Sequence, residues 1–487
     1  MTDDWLGHPR GLSTLFFTEM WERFSYYGMR GILVLFMTAA AATGGMGLDD
    51  VTATAIYGLY TAAVYLVALP GGWIADRLLG LRRAVFWGGC VIAAGHFTLA
   101  IPSTAAFYVG LTLIVIGTGL LKPSISAVVG DLYPEGGARR DAGFSVYYMG
   151  VNLGAFLGPL VCGLLGETVN WHLGFSAAGV GMVVGLVQYS YGQKFLGSAG
   201  NLRPEFQDAA VRKQSLRGLL RVVEGLVGVF LVLTALAQAG AVRLTLLGVV
   251  DSTGIFIACL ATGFLLYVVM FGRLTVVEKK RVGVIAVTFL AAACFWSGFE
   301  QGGSSMNLFA QRLTDRTIGG WEMPASWLQS VNALFIILLA PVFSVIWMRL
   351  GSRTPSMPAK MAFGLLQLGL GFAVLAWAST YASLDRPVSP NWLVITYLFH
   401  TTAELCLSPI GLSSTTKLAP SRYAGQMMGI WFMGAALGNL LAGRVAGLIH
   451  SLPLPQLFGA VTLFSVGTGL LLLLFTKPLK SWMGGVE

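Results

Sequence analysis

The sequence predicts an all-α polytopic membrane protein with fourteen spanning helices. Hydrophobic residues make up 55% of its 487 residues and charged residues only 11%, against roughly 25% charged residues in soluble domains. Apolar segments of the roughly 20 residues that a spanning helix needs recur along the chain. They lack the apolar–polar alternation of barrel strands. A soluble enzyme of this size could not cover its surface with so few charges, so that class is excluded.

The apolar segments define the predicted helices in order. They are centred approximately at 15–40, 52–76, 84–101, 106–130, 143–166, 172–192, 218–240, 247–271, 283–310, 326–348, 358–380, 391–414, 425–448 and 457–476. The N-terminal residues lack a basic region followed by a small-residue cleavage site, so we predict no signal peptide. All five cysteines fall inside apolar segments without a CxxC pair, which predicts neither a disulfide nor a metal site.

Basic residues alternate from loop to loop, which predicts the orientation. One set of loops holds 23 of the 31 Lys and Arg residues and the opposite set holds 4. This bias predicts that both termini are cytoplasmic. Because the basic residues form no single patch, a nucleic-acid partner is excluded. We expect a multi-pass protein in the cytoplasmic (inner) membrane of a bacterium, with the lipid bilayer as its surroundings.

The helices divide into six, two and six. We predict an N-terminal six-helix bundle over 1–192, a linker with two additional transmembrane helices over 193–281, and a C-terminal six-helix bundle over 282–487. Between helices 2 and 3 the chain reads GGWIADRLLGLRR, from Gly71 to Arg83. This loop resembles the signature of major facilitator transporters, and the resemblance implies their fold of two six-helix bundles.

Seven ionisable residues lie within apolar segments, and each would cost roughly 2.5–3.5 kcal/mol if it faced lipid. They are Glu19, Glu22, Arg23, Arg30, Lys122, Glu300 and Glu404. We therefore predict that they face one another or a water-filled cavity. On helix 1, two acids, two arginines and two tyrosines fall within a ~140° arc. An arginine in such a stripe is suited to bidentate capture of a carboxylate.

Several motifs then resemble one family, the proton-dependent oligopeptide transporters of the major facilitator superfamily, in a prokaryotic form. Helix 1 reads ExxERFSYYG, from Glu19 to Gly28. Further matching segments correspond to the helices that the family counts as 4, 5, 7, 10 and 11, without the two additional helices. They are GTGLLKPS, DAGFSVYYMGVNLGAFLGP, FWSGFEQ, ELCLSPIGLSSTTKLAP and MMGIWFMGAALGNLLAG. The resemblance implies a proton-coupled symporter that imports di- and tripeptides by alternating access, and no enzyme.

The resemblance also implies which residues meet a peptide. The carboxylate end would lie among Arg23, Arg30 and Lys122. The ammonium end would meet Asn152, Asn332 and Glu404. Side-chain pockets would be lined by Tyr26, Tyr27, Tyr65, Trp296, Trp431 and Phe432, with Ser408 also at the site. No metal and no cofactor is implied, protons being the coupling ion, and we expect a monomer to be the functional unit.

For coupling we hypothesise that Glu19, Glu22 and Arg23 act as one unit of net charge −1, which takes up a proton when a peptide carboxylate competes for the arginine. Glu300 is the second candidate. By resemblance, Arg30 and Glu300 pair to close the outer gate. Lys122 and Glu404 would likewise pair to close the inner gate. Exchange of the two ion pairs would give two discrete states.

The sequence departs from the family pattern, and other functions stay open. Tyr57 is followed by Gly58, so no helix-2 histidine can act in coupling, and we interpret His96 and His400 as packing or hydrogen-bonding residues. One alternative is transport of nitrate or another small organic anion by the same cations. The other is a membrane-embedded enzyme or receptor, which is disfavoured because no nucleophile with a matched base and no soluble domain is present.

Overall fold

The computed structural model describes residues 4–485, except the side chains of Ser352, Pro409, Ile410 and Leu412, and it is almost entirely helical. The α-helices in this range are α1 (Gly11–Thr38), α2 (Asp50–Ile74), α3 (Leu81–Leu99), α4 (Thr104–Asp131), α5 (Gly137–Thr168), α6 (Trp171–Gly192), α7 (Ala209–Gln238), α8 (Leu246–Phe271), α9 (Val276–Phe299), α10 (Ser305–Leu313), α11 (Ser330–Leu350), α12 (Met357–Tyr381), α13 (Asn391–Leu418), α14 (Ala424–Gly447), α15 (Leu454–Leu474) and α16 (Thr476–Trp482). Two short antiparallel hairpins complete it, β1 (Asp4–Trp5) with β2 (His8–Pro9) and β3 (Thr317–Ile318) with β4 (Trp321–Glu322).

Fourteen of these helices, within the described residues, have at least 18 residues, and twelve spans in the same range are apolar enough to cross a membrane. The two long helices outside the twelve are α1, which carries four ionisable residues, and α3, whose first turn contains Arg82 and Arg83. The predicted all-α membrane fold is confirmed, and the number of long helices agrees with the prediction.

The helices form two halves that meet along two helix pairs. In the first half α1 packs against α5 and α6, and α3 packs against α4. In the second half α12 packs against α13 and α15, and α9 against α14. The halves meet where α2 packs against α14 and α5 against α11. Glycine permits the close approach of α2 and α14, since a Cβ at Gly443 would lie 2.5 Å from the Thr54 carbonyl oxygen.

The two additional helices differ in how they contact the bundle. α8 packs against α14 and α2, and Arg444 of α14 forms an ion pair with Asp251 of α8, Nε to Oδ1 2.9 Å. Of the residues of α7, all of which the structure describes, only Ser215 is buried. α9 begins at Val276, ahead of the boundary predicted at 281, because Thr275 and Glu278 form a capping box there.

The ninth predicted span, 283–310, is wrong as a single continuous helix. α9 ends at Phe299, a tight turn covers Glu300–Gly303, and α10 continues from Ser305. Two glycines lie in this turn, and the second permits a close contact. A Cβ at Gly303 would lie 2.1 Å from the hydroxyl oxygen of Tyr57 on α2. The break therefore brings α2 against the turn that carries Glu300.

We expect Gly303→Ala to destabilise this arrangement by about 1–3 kcal/mol, the usual cost of overpacking a buried site. Thermal unfolding of the purified protein in detergent measures the effect. Gly302→Ala is a matched control in the same turn, since its Cβ would have Tyr397 as its nearest neighbour at 3.8 Å, an ordinary contact. Equal unfolding of the two variants would show that the Tyr57 contact is not what requires glycine at 303.

Candidate functional site

A cavity of about 810 Å³ lies between the two halves and collects the polar residues of the spanning helices. Its lining includes twelve of the thirteen residues predicted to bind substrate. They are Arg23, Tyr27, Arg30, Tyr65, Lys122, Asn152, Trp296, Asn332, Glu404, Ser408, Trp431 and Phe432. Tyr26 is the exception, because its ring packs edge-on against Tyr27 at 5.2 Å and stacks on Tyr60 at 6.4 Å. Tyr26 therefore does not line the cavity in this conformation.

Arg30 closes one end of the cavity. Its guanidinium on α1 forms an ion pair with Glu300, in the turn between α9 and α10. The same guanidinium donates a hydrogen bond to the hydroxyl of Tyr57 on α2. All three side chains are buried. The ion pair predicted for the outer gate is thus present, and it joins the first half to the second.

Further contacts between the halves surround this ion pair. Arg312 of α10 holds both carboxylate oxygens of Asp50, the first residue of α2, at 2.7 and 2.8 Å. Glu167 of α5 accepts backbone hydrogen bonds from Ala325 at 2.7 Å and Ser326 at 3.0 Å. Asp50 follows the N-cap residue Asp49, whose carboxylate accepts hydrogen bonds from the side chain and backbone of Thr52 that lower its pKa. Sequence reasoning had not identified Asp50, Arg312 or Glu167.

The opposite end of the cavity is open. Its lining there includes Trp73, Asp76 and Gly425, of which Asp76 and Gly425 are exposed. Ten side-chain hydrogen bonds join the two halves at the Arg30 end. The cavity is therefore closed toward α10 and open toward the side that carries the Arg77–Arg83 loop.

The second predicted gate pair is separated in this conformation. Lys122 and Glu404 both line the cavity, but neither forms an ion pair with a described residue. The Lys122 ammonium instead lies 4.4 Å from the centre of the Tyr65 ring. One carboxylate oxygen of Glu404 is buried without a hydrogen-bond partner in the described chain. Both charges therefore remain available to a molecule in the cavity.

The acidic motif of α1 forms a compact cluster beside the cavity. Arg23 Nε lies 3.1 Å from Glu19 Oε1 and also pairs with the Glu22 carboxylate. Glu19 and Arg23 line the cavity, whereas Glu22 lies behind them and is fully buried. One carboxylate oxygen of each glutamate and one terminal nitrogen of Arg23 have no partner among the described residues. Arg23 thus connects the cavity to a buried acid.

The cavity wall also contains residues that the sequence analysis missed or assigned differently. Tyr397 and His400 lie seven and four residues before Glu404 on α13, and both line the cavity. Helical periodicity gave this signal, because positions i, i+3 and i+7 share one face. His400 was interpreted as a packing residue. It does pack against the Phe372 ring at 4.8 Å, but it forms part of the wall as well.

Comparison with known proteins adds an independent result. A family model described as the POT family matches residues 82–461. The peptide transporter YePEPT of Yersinia enterocolitica subsp. palearctica serotype O:3 (strain YE-P4) is 41% identical over 495 residues, covering 99% of this chain and 96% of its own. A di-/tripeptide transporter of Lactococcus lactis subsp. cremoris is 36% identical, covering 99% and 98%. A crystal structure of a peptide transporter POT in complex with sulfate superposes with a TM-score of 0.90 at 42% identity, covering 99% and 97%.

Proposed function

The chain belongs to the POT family, and we propose that it is a proton-coupled symporter that imports di- and tripeptides by alternating access between its two halves. The observation that carries this proposal is the charge arrangement of the cavity. Lys122 and Glu404 stand on helices of opposite halves, both unpaired and both facing the same space. A zwitterion whose charges are separated by a short backbone is complementary to such a site.

The substrate class follows from the groups on each wall. Arg23, Arg30 and Lys122 offer cations to a carboxylate, and arginine can bind one with two parallel hydrogen bonds. On the other wall Glu404 offers an acceptor to an ammonium group, with Asn332 beside it on α11. Both recognised groups belong to the termini of any peptide. We therefore propose broad selectivity for short peptides, with Trp296, Trp431 and other aromatic rings around variable side chains.

For coupling we propose the proton as the only coupling ion, with no cofactor, and two acids as its binding sites. A peptide carboxylate at Arg23 weakens that residue's pairing with Glu22, so a proton on Glu22 becomes more favourable. Protonation of Glu300 removes the charge that holds Arg30. The Arg30–Glu300 pair closes one end of the cavity while the other end is open. Release of this pair is therefore required for the cavity to open at the closed end.

The orientation proposed from the basic loops gives this conformation a direction. We propose that the chain lies in the inner membrane with both termini in the cytoplasm and works as a monomer. The open end, beside the Arg77–Arg83 loop, then faces the cytoplasm, and the Arg30–Glu300 end faces outward. This conformation is the one from which a peptide is released into the cell.

Uptake by purified protein in liposomes tests the proposal. With an inward proton gradient, we expect labelled di-alanine to accumulate, an uncoupler to abolish accumulation, and tripeptides but not free alanine to compete. Liposomes without protein, and liposomes with equal pH on both sides, are the controls. If folded protein gave no accumulation of the dipeptide but moved nitrate or an organic anion, the cations would serve anion transport and the peptide proposal would be wrong.

A further inference from the structure

The first half of α7 carries a group of exposed cations. Arg212, Lys213, Arg217 and Arg221 are all exposed, and none forms an ion pair within residues 4–485. Lys213, Arg217 and Arg221 follow one another at intervals of four residues. Such spacing aligns their side chains in one stripe about 12 Å long. The stripe is therefore open to an anionic partner from outside the described chain.

The length of α7 indicates where this stripe lies. Its 30 residues extend about 45 Å, whereas the hydrocarbon core is about 30 Å thick. The C-terminal part, from 222 to 238, is apolar apart from Glu224, Thr234 and Gln238, and it fills the hydrocarbon region. The basic part therefore extends into the layer of lipid headgroups, where long cationic side chains reach phosphates readily.

α7 is also free of protein contacts over most of its surface. Cβ atoms at Gly218, Gly225 and Gly228 would meet nothing within 4 Å. Its main contacts are with the turn Ala75–Leu79 and with the short turn Pro204–Phe206, which directly precedes its N-terminus. Lipid has direct access to the sides of this helix.

The same N-terminal end adjoins the cavity entrance. The Arg77 guanidinium lies 5.3 Å from the centre of the Phe206 ring and 5.4 Å from that of Trp73. Trp73 and the neighbouring Asp76 line the open end of the cavity. A ligand that fixes the start of α7 therefore acts on the turn Ala75–Leu79, which contains Asp76 and directly follows the segment that carries Trp73.

From these observations we propose that the basic stripe of α7 (Lys213, Arg217 and Arg221), together with the neighbouring Arg212, binds anionic phospholipid headgroups, and that the bound lipid stabilises the entrance turn Ala75–Leu79. The partner is identified by its chemistry. It carries a phosphodiester for the guanidinium groups and acyl chains for the apolar sides of the helix. This goes beyond the proposed transport function, because the site lies outside the cavity.

The test variant, called the stripe variant, removes all four cations through Arg212→Gln, Lys213→Gln, Arg217→Gln and Arg221→Gln. The matched control removes four cations from the same side of the second half, through Lys279→Gln, Lys280→Gln, Arg349→Gln and Arg353→Gln, none of which pairs with a described residue. Each protein is placed in nanodiscs of phosphatidylcholine with about one-quarter phosphatidylglycerol. Native mass spectrometry then measures the phosphatidylglycerol that each protein retains.

We expect the stripe variant to lose retained phosphatidylglycerol by at least roughly fivefold, since each cation near the surface contributes to the attraction. The control should retain most of it. A variant with Arg212→Lys, Arg217→Lys and Arg221→Lys should also retain it, which separates loss of charge from failure to fold. Equal loss in the stripe variant and the control, no loss in either, or displacement of the lipid by inorganic phosphate alone would each overturn the proposal.

A second readout tests the link to the entrance turn. Di-alanine uptake by the wild type should rise when phosphatidylglycerol is added to phosphatidylcholine liposomes, and uptake by the stripe variant should not. Lipid retention does not depend on peptide transport, so failure of the transport proposal leaves the binding test intact. Lipid retention without any lipid effect on uptake would overturn the coupling to the entrance.

Discussion

Glu300→Gln is expected to reduce proton-driven accumulation of a dipeptide to the level of protein-free liposomes while exchange of labelled for unlabelled peptide continues. The carboxylate of Glu300 holds the buried guanidinium of Arg30 at the closed end of the cavity. An amide has nearly the same shape but carries no charge at any pH, so it imitates a permanently protonated acid. Removal of one partner from a buried ion pair typically costs about 3–5 kcal/mol. The closed end then no longer responds to a proton.

The measurement compares uptake under an inward proton gradient with counterflow at equal pH in the same liposomes. Glu22→Gln should likewise lose proton-driven accumulation and keep counterflow, because Glu22 is the fully buried acid of the α1 cluster. Glu224→Gln on α7 is the matched control, a carboxyl in a spanning helix but exposed and outside the cavity. Normal accumulation by both Glu300→Gln and Glu22→Gln would refute the assignment of these acids to coupling. Loss in the control as well would show that the assay reports damage to the fold.

Much of the site could be predicted from the sequence, because charged side chains that face lipid are costly. Charges such as Arg30, Lys122 and Glu404 cannot face lipid cheaply, so their presence in apolar segments already implied a shared interior. The structure places all three on one cavity. The Arg30–Glu300 pair was predicted from the family resemblance and is present. Composition and motif thus located the cavity residues without any three-dimensional information.

Other features depend on which residues meet in space, which a single sequence does not encode. Asp50 and Arg312 are separated by 262 positions, and both stand at helix ends, where charged residues are ordinary. Tyr26 shares the polar arc of α1 but turns toward Tyr60, because a stripe that is ~140° wide exceeds what one cavity wall can expose. The break at Gly302 and Gly303 was hidden inside a run apolar enough to be interpreted as one span.

The conformation itself was also beyond the sequence. Two exchangeable ion pairs were predicted, but their residues do not indicate which pair is formed at a given moment. In the structure Arg30 and Glu300 form an ion pair and Lys122 is separate from Glu404, and side-chain hydrogen bonds between the halves surround the Arg30–Glu300 pair. The free energies of two such states differ by little, so a small change in charge is enough to select one.

The second large effect is expected at Glu404, and it should depend on the chemistry of the peptide's N-terminus. Glu404→Gln should weaken binding of an ordinary dipeptide by roughly 10–100-fold, the equivalent of about 1.5–3 kcal/mol for a hydrogen bond to a charged group. The Glu404 carboxylate lines the cavity and has a buried oxygen without a partner in the described chain. A peptide ammonium would supply that partner.

An N-acetylated dipeptide separates this role from general damage to the site. It lacks the ammonium group, so it should bind wild type and Glu404→Gln with affinities within a few-fold of each other, and both should be weaker than the free dipeptide with wild type. Affinity is measured by competition against labelled di-alanine with purified protein, with Glu205→Gln, an exposed acid outside the cavity, as the control. If both peptides lost the same affinity, Glu404 would shape the cavity rather than bind the ammonium. If neither lost affinity, the ammonium would lie elsewhere, and the assignment of the two cavity walls would have to be reversed.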